Sequence, residues 1–231
     1  MKIFAGTSGF AYREWRGVFY PPGLKQADML PHYAGILSAV EINATFYRFP
    51  RADALAEWGD RVPPRFVFAF KAPAVITHRR RLDDVEVPLR RFLEATAVLE
   101  ERRGPLLFQL PPSFTCDLPA LKRFLPLLRG TRAAVEFRHP SWFVEPVYEA
   151  LREASCALCV SDREEAPPPP VLPTAPFGYL RLRRNAYTHD DLARWHNIAT
   201  RQKWQEAFFF FRHEETASGP RFAMELLRLM R

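Results

Sequence analysis

Cysteine is scarce in this sequence. The chain of 231 residues contains three cysteines, Cys116, Cys156 and Cys159, and such an odd and sparse set does not build a disulfide framework. Cys156 and Cys159 have the spacing of a redox pair, but they fall in an apparent strand, where side chains three residues apart point to opposite faces. The pattern therefore favours small buried hydrophobic residues over a thiol pair or a zinc site, in a reducing compartment.

Long apolar runs are also absent. The apolar stretch at residues 1–6 is too short for the hydrophobic part of a secretory signal, and no stretch reaches the roughly 20 residues of a transmembrane helix. We therefore expect a cytoplasmic protein with no membrane partner.

Lysine is rare, and arginine supplies nearly all of the positive charge. Of 33 basic residues only five are lysine, and the formal net charge is +7. Arginine suits bidentate binding of phosphate or carboxylate, although coding bias explains such an excess equally well. The hydrophobic fraction of 48% is enough for an ordered core.

The stretch at residues 40–50 combines strict alternation with an unusual polar face. Val40 and Ile42 project to one side of an extended strand, and Glu41 and Asn43 project to the other. In a chain that alternates strands with helices, both faces of a strand are covered. Because an unpaired buried carboxylate is unfavourable, Glu41 indicates either an ion pair or a functional site.

Strands and helices alternate along the chain. Eight parallel strands in about 250 residues are typical of a compact TIM-like (β/α) barrel of the α/β class, and we expect one such domain over residues 1–231. Prolines in residues 164–173 break the rhythm, so a stiff loop replaces the crossover helix after strand six. The predicted strands are 2–6, one starting at 40, 66–71, 106–110, 133–138, 156–162, 177–183 and 207–212; the predicted helices are 24–37, 52–58, 88–102, 118–128, 143–154, 189–206 and 221–230.

Each predicted strand after the first is apolar where it begins and polar where it ends. In a barrel, these polar side chains fill the C-terminal end of the interior, where the active sites of barrel enzymes lie. One interpretation is a functional site; the other is an ion network that satisfies only itself, since buried charges are normally paired. The residues are Glu41, Asn43, Lys71, Gln109, Glu136, Arg138, Asp162, Arg181, Arg183 and Arg212.

Further candidates surround this end of the barrel. His78 follows strand three and is either solvated or a ligand or base. The basic run 79–81 is either a solvated face or a phosphate contact, and Trp142 after strand five offers an aromatic wall. Aromatic residues crowd the loop at 10–20, where they form either a plug over the domain or a surface for stacking sugars or bases.

Motifs spread over nearly the whole chain match the pattern of one family. They include Gly6-Thr7-Ser8-Gly9-Phe10, Val40-Glu41-Ile42-Asn43 with Thr45-Phe46-Tyr47, Lys71 with Thr77-His78, Phe108-Gln109-Leu110-Pro111-Pro112-Ser113-Phe114, Glu136-Phe137-Arg138 with Ser141-Trp142, and Tyr179-Leu180-Arg181-Leu182. Together they resemble the domain of unknown function 72 family (DUF72, YecE-like). The resemblance implies a TIM-like barrel with a polar pocket at its C-terminal face, and it brings no established activity.

The chain departs from that family's pattern at two places. Phe211-Arg212-His213 stands where the family usually has Phe-Asn-Asn, and Arg183-Arg184 stands where His-Gly commonly follows strand seven. Both differences add cationic side chains to the rim. We therefore expect a more anionic ligand in this protein.

The first functional hypothesis is an enzyme that acts on a phosphorylated or otherwise anionic small molecule, such as a sugar derivative. Glu41 and Glu136 face each other across the substrate as acid and base, as in glycoside hydrolysis. No cofactor is predicted. The candidate catalytic residues are Glu41, Glu136, Lys71 and Asp162; the candidate ligand-binding residues are Asn43, Thr45, Tyr47, His78, Gln109, Arg138, Trp142, Arg181 and Arg183.

Two alternatives use the same end of the barrel. One is a nucleic-acid-binding protein or metal-dependent phosphodiesterase, in which Glu41, Glu136, Asp162 and His78 hold a divalent metal. The absence of a cluster with metal-ligand spacing in the sequence counts against it. The other is a protein that binds a metabolite without catalysis.

Overall fold

A computed structural model describes residues 1–212 and 217–229. Eight parallel strands close into a barrel in chain order, with the first strand paired to the last. The predicted TIM-like architecture is therefore confirmed. The strands are β1 (Lys2–Ser8), β2 (Ala39–Ile42), β3 (Val67–Lys71), β4 (Arg103–Gln109), β5 (Ala133–Glu136), β6 (Ala157–Asp162), β7 (Phe177–Leu182) and β8 (Glu206–Phe211).

Helices surround the barrel except between β6 and β7. Residues 163–176, all of them described, contain no helix. Prolines 167–170 account for this, since proline lacks the backbone N–H and clashes with the preceding turn of a helix. The predicted replacement of one crossover helix is confirmed. The helices are α1 (Met29–Ala34), α2 (Ala52–Asp60), α3 (Glu86–Ala97), α4 (Leu118–Phe124), α5 (Glu145–Glu153), α6 (His189–Thr200) and α7 (Ser218–Arg228).

The structure shortens several predicted elements. Helix α1 has six residues instead of the fourteen of 24–37, because its first turn, Gln26–Asp28, is a 3-10 turn. Strand β2 ends at Ile42, and a 3-10 turn at Ala44–Phe46 takes the chain out of the sheet. The predicted helix end at Met230 and the rim residue His213 lie outside the described residues.

The alternation of side chains separates two cores. On β3, Phe68 and Phe70 belong to the core between barrel and helices, whereas Val67 and Ala69 belong to the barrel interior. Cys156 packs in the outer core and Cys159 in the interior, both as buried free thiols. The prediction of two buried cysteines on opposite faces is therefore confirmed, and burial raises the pKa of Cys156 to about 12.

Aromatic rings fill the N-terminal end of the interior. Phe4 and Phe208 stack with ring centroids 4.9 Å apart, and Phe177 meets Phe208 edge to face. Strands β2, β3, β5 and β6 contribute small side chains at this level and above it, which leaves room for the rings from β1, β7 and β8. The small interior residues are Ala39, Ala69, Ala134, Ala157 and Cys159.

Strands β1 and β2 approach each other closely at Gly6. A Cβ atom there would lie 1.7 Å from the carbonyl oxygen of Ala39, so only glycine fits. Among the helices of the described residues, none is long and apolar enough to cross a membrane.

Candidate functional site

One arginine lies between two carboxylates at the C-terminal end of the barrel interior. Arg181 Nη2 is 2.7 Å from Glu41 Oε1, and Arg181 Nη1 is 2.6 Å from Glu136 Oε2. Glu41 and Glu136 are 0% exposed and Arg181 is 2% exposed. The three side chains come from β2, β5 and β7, so this bridge connects opposite parts of the barrel.

Neighbouring strands supply the remaining hydrogen bonds of the two carboxylates. The hydroxyl groups of Ser8 and Tyr179 each donate to Glu41 at 2.8 Å. Gln109 Nε2 donates to Glu136 Oε2 at 2.8 Å. Ser8 and Tyr179 were not among the predicted site residues, although both lie at inward positions that the strand alternation identifies.

Both carboxyl groups remain ionised in this environment. Burial is the largest single influence and raises their pKa values, but the charge and hydrogen bonds of Arg181, together with the hydrogen bonds that Ser8 and Tyr179 donate to Glu41, outweigh it. For Glu136 the charges of Arg183 and Arg138 add to this effect, and its pKa falls to about 2. Neither carboxylate is therefore a proton donor at neutral pH.

The predicted role of Glu41 and Glu136 as an acid and base pair facing each other across a substrate is wrong in its geometry. The guanidinium of Arg181 occupies the space between them. Both carboxylates are also fully buried. The ion-network interpretation is the one that fits these three residues.

A second set of cations lies beyond this bridge. Lys71 Nζ donates to Gln109 Oε1 at 2.8 Å and lies 3.9 Å from the ring centroid of Phe46. Burial lowers the pKa of Lys71 to about 8, and the charge of Arg181 contributes. Burial and Arg181 likewise lower the pKa of the half-buried Arg183 to about 10.

These cations outnumber their carboxylate partners. Arg138 Nη1 is 3.9 Å from Glu136 Oε1, and Arg183 has no ion-pair partner in the described parts of the chain. We call Lys71, Arg138 and Arg183 the cationic mouth. Because the two carboxylates face four cations when Arg181 is included, this end of the barrel carries excess positive charge.

On strands β5, β6 and β7, three buried polar atoms at this end lack a hydrogen-bond partner among the described residues. They are Glu136 Oε1, Ser161 Oγ and Arg181 Nε, which belong to the consecutive strands β5, β6 and β7. Buried polar groups are normally satisfied by protein, water or ligand. This part of the interior can therefore accept a polar ligand atom or an ordered water.

The prediction that Asp162 lies in this interior cluster is wrong. Its carboxylate accepts hydrogen bonds from Tyr187 Oη at 3.0 Å and Trp195 Nε1 at 3.3 Å, and it pairs with Arg184 Nε at 3.0 Å. These partners lie outside the barrel. Ser161, one residue earlier, has the inward position that Asp162 was expected to occupy.

The prediction that Trp142 forms a wall of the site is also wrong. Its indole is fully buried in the outer core, stacks on Phe137 with centroids 4.6 Å apart, and donates from Nε1 to the carbonyl of Phe114 at 2.7 Å. The turn after β2 places Tyr47 on the surface with 82% exposure. Thr45 supports the site from beneath, because its hydroxyl donates to the carbonyl of Lys71 at 2.6 Å.

His78 reaches the cationic mouth through an unusual turn. It lies on a single π-helical turn, Val75–Arg79, of a kind that is frequent at functional sites. Its ring meets Phe46 edge to face at 4.8 Å, on the same ring that Lys71 contacts. Burial, followed by the charges of Lys71 and Arg138, lowers its pKa.

The basic run after His78 lies on the surface. Arg80 forms an ion pair with Asp84, and Arg81 hydrogen-bonds to Ser113 at 3.4 Å while lying over the ring of Phe114. Arg212, just past β8, is exposed as well. These arginines extend the positive surface around the mouth.

The four metal ligands proposed from the sequence do not come together. Glu41 and Glu136 are bound by Arg181, Asp162 points outside the barrel, and His78 lies on the rim. Within the described residues, no group of three or more histidine, cysteine, aspartate or glutamate side chains is arranged to hold a metal ion.

The resemblance found in the sequence is confirmed by comparison with known proteins. Residues 4–231 match the family model described as "Protein of unknown function DUF72". The UPF0759 protein YecE of Escherichia coli (strain K12) is 36% identical over 118 residues, which are 50% of this chain and 43% of YecE. The UPF0759 protein YunF of Bacillus subtilis (strain 168) is 27% identical over 161 residues, which are 64% of this chain and 54% of YunF.

The matched stretches thus span about half the length of these curated relatives. A solved structure extends the similarity to the whole chain. The crystal structure of a DUF72 family protein from Thermotoga maritima superposes with a TM-score of 0.85 at 27% identity and covers 100% of this chain and 99% of its own.

Proposed function

The chain belongs to the family described as protein of unknown function DUF72, and from the chemistry of its barrel we propose that it binds a small phosphorylated or otherwise anionic molecule at the cationic mouth. Ligands of barrel proteins bind at this C-terminal face.

The observation that carries the proposal is that neither Lys71 nor Arg183 has a carboxylate partner among the described residues, since Lys71 donates to the neutral amide of Gln109 and Arg183 forms no ion pair. Each is removed from water enough to lower its pKa, to about 8 and about 10 respectively. A lowered pKa means that the charged form is disfavoured at that position. A bound anion would reverse this effect, so the mouth favours a negatively charged ligand.

The buried bridge of Glu41, Arg181 and Glu136 serves as the base of this site. It fixes three strand ends relative to one another, and Gln109 connects it to the ammonium group of Lys71 through hydrogen bonds of 2.8 Å. Such a network holds ligand-binding groups in place before the ligand arrives.

Among the residues of the mouth, Lys71 is the one best suited to proton transfer. Its pKa of about 8 lies near neutral pH, where a general acid or base is most effective. We therefore assign to Lys71, rather than to the buried carboxylates, the catalytic role in any reaction of the bound anion.

Isothermal titration calorimetry with inorganic phosphate, a sugar phosphate and the corresponding neutral sugar tests the proposal. We expect the two phosphates to bind and the neutral sugar not to bind. A ligand at about 100 times its dissociation constant should also raise the free energy of unfolding by about 2.7 kcal/mol.

Matched variants locate the binding. Lys71→Met and Arg183→Met should each weaken phosphate binding strongly, whereas Arg90→Met, which removes one exposed positive charge from α3, should not. Equal losses in all three variants would mean that net charge attracts the anion without a site. No binding of either phosphate to the wild-type protein would refute the proposal.

Proton linkage provides an independent readout. Near pH 8 Lys71 is about half protonated, and a bound anion raises its pKa, so binding should take up protons from the buffer. Titrations in two buffers with different ionisation enthalpies measure this uptake. Lys71→Met should abolish it.

A further inference from the structure

A narrow slot lies beside the cationic mouth, between the loop after β1 and helix α2. Its volume is about 320 Å³, at the lower end of the range for small-molecule pockets. This is room for one ring system. The lining residues are Gly9, Phe10, Ala11, Tyr12, Ile42, Asn43, Ala44 and Trp58.

Aromatic side chains form the walls of the slot. Phe10 and Trp58 meet edge to face with centroids 5.7 Å apart, and both are only partly buried. Trp58 stacks on Phe68 of the outer core at 6.1 Å, which holds the indole in place. The Trp58 ring is thus supported by the outer core, and part of the Phe10 and Trp58 ring surfaces remains accessible.

The loop backbone is shaped to bring Tyr12 into this position. Tyr12 Oη donates to the carbonyl of Ser8 at 2.6 Å. Gly9 has a φ of +102°, and a Cβ atom there would lie 2.3 Å from the Tyr12 hydroxyl. Only glycine allows the tyrosine to fold back over the strand end.

Asn43 is a polar residue in the lining of the slot, together with the Tyr12 hydroxyl and the indole N–H of Trp58. Its Oδ1 is buried and has no hydrogen-bond partner among the described residues. Because buried polar atoms are normally satisfied by protein, water or ligand, this oxygen can accept a hydrogen bond from the edge of a ligand.

Two residues that line the slot, Asn43 and Tyr12, connect it to the cationic mouth. Asn43 leads directly into the turn Ala44–Phe46, whose Phe46 ring carries Lys71 Nζ at 3.9 Å. On the other side, the charge of Arg183 acts on the Tyr12 hydroxyl, opposing the effects of burial and of Glu41 that raise its pKa to about 12. The slot and the mouth therefore lie on the same C-terminal rim of the barrel.

We propose that the slot binds the planar heteroaromatic ring of a ligand whose phosphate lies on the cationic mouth, so that the ligand is a nucleoside monophosphate. This inference rests on the proposed function and adds the class of ligand to it. Flat rings stack on aromatic side chains through faces that need no hydrogen bonds.

The composition of the slot favours such a ring over a sugar. A sugar ring carries several hydroxyl groups, and the lining offers few polar side chains to receive them. Buried hydroxyl groups without partners disfavour binding. A nucleobase needs partners only along its edge, where Asn43 lies.

Calorimetric dissociation constants for inorganic phosphate, ribose 5-phosphate, AMP and UMP test the inference. We expect at least one nucleoside monophosphate to bind roughly tenfold or more tightly than ribose 5-phosphate, as base stacking on an aromatic side chain predicts. Trp58→Leu should remove most of this gain and leave the dissociation constant of inorganic phosphate unchanged. Arg183→Met should instead weaken every phosphate ligand.

Phe10→Leu is a second variant in case Trp58→Leu fails to fold, and it should reduce the same gain. Asn43→Ala should change the preference between AMP and UMP without changing phosphate binding. If phosphate binds but neither nucleotide binds more tightly than ribose 5-phosphate, the slot assignment is overturned and the proposed function stands. If none of the four ligands binds, both are overturned.

Discussion

The two ends of the barrel interior are built in opposite ways. At the N-terminal end Phe4, Phe177 and Phe208 pack ring against ring among alanines. At the C-terminal end, two buried carboxylates share the guanidinium of Arg181. The same strands supply both ends, so the difference arises from the order of residues along each strand.

Stability alone is enough to explain the aromatic end of the barrel interior, but not the polar end. Burial of the aromatic rings is favourable whatever the pH. The ion bridge is favourable only while every partner is present and charged, and apolar residues of similar volume would stabilise a barrel at least as well. Stability alone therefore does not explain the polar end, and the proposed binding site above it supplies a second reason for the ion bridge.

The largest effect should come from Arg181→Met. It removes the cation in direct contact with both buried carboxylates and leaves Glu41 without an ion-pair partner, so the free energy of unfolding at pH 7 should fall by about 3–5 kcal/mol. Burial then raises the pKa of Glu41, and the deficit should shrink as the pH falls from 7 to 5 because its neutral form is tolerated. Urea unfolding at the two pH values measures this. An equal deficit at both would contradict it.

Phe208→Ala should have a nearly equal effect at the apolar end. Truncating a buried phenylalanine lowers the free energy of unfolding by about 3–5 kcal/mol, and it removes the stacking partner of Phe4. Arg132, whose guanidinium lies 5.8 Å from the centroid of the Phe208 ring, stays charged at both pH values, so the deficit should be the same at pH 7 and pH 5. A deficit that changes with pH would show that the two ends are not independent.

Glu136→Gln should lower the free energy of unfolding by an intermediate amount, and this loss should depend on pH. The folded pKa of Glu136, about 2, lies below its ordinary value of 4.5. Its ionised form therefore contributes stability that is complete above about pH 4.5 and is lost as the pH falls towards 2. The wild-type protein should exceed the variant by about 3 kcal/mol at pH 6. Guanidinium unfolding between pH 6 and pH 2.5 should show the two curves converging.

The smallest changes in the free energy of unfolding should come from two serines of the polar end, and the two changes should differ. Ser161 Oγ has no partner among the described residues, so Ser161→Ala should change the free energy of unfolding by less than about 1 kcal/mol without ligand. Ser8 Oγ donates to Glu41 at 2.8 Å, and Ser8→Ala should destabilise by about 2 kcal/mol. Thermal unfolding of both variants provides the test, and the reverse order would contradict the assigned network.

Strand alternation predicted much of the polar end correctly. It placed Glu41, Lys71, Gln109, Glu136 and Arg181 on inward faces, because the side-chain period of a strand is two residues. The same rule identifies Ser8 and Tyr179. Asp162 was predicted to point inward only because it lies at a strand end. Cys159 points inward, so the alternation places Ser161 inward and Asp162 in the outer core.

Strand alternation does not predict which side chains meet across the barrel. Alternation gives a direction for each side chain, but the distance between β2, β5 and β7 depends on how the barrel closes. Arg181 could therefore not be placed between Glu41 and Glu136 from the sequence. Residues beyond strand ends, such as Tyr47 and Trp142, follow turns whose geometry leaves no periodic signal in the chain.

The three free thiols lie at three depths of the molecule. Cys116 is partly exposed in the loop after β4, Cys156 lies in the outer core, and Cys159 lies inside the barrel. A reagent that modifies thiols can reach the last two only when the corresponding layer opens. The relative labelling rates of Cys156 and Cys159 therefore report which layer of the barrel opens more readily, and no cysteine has to be introduced for the measurement.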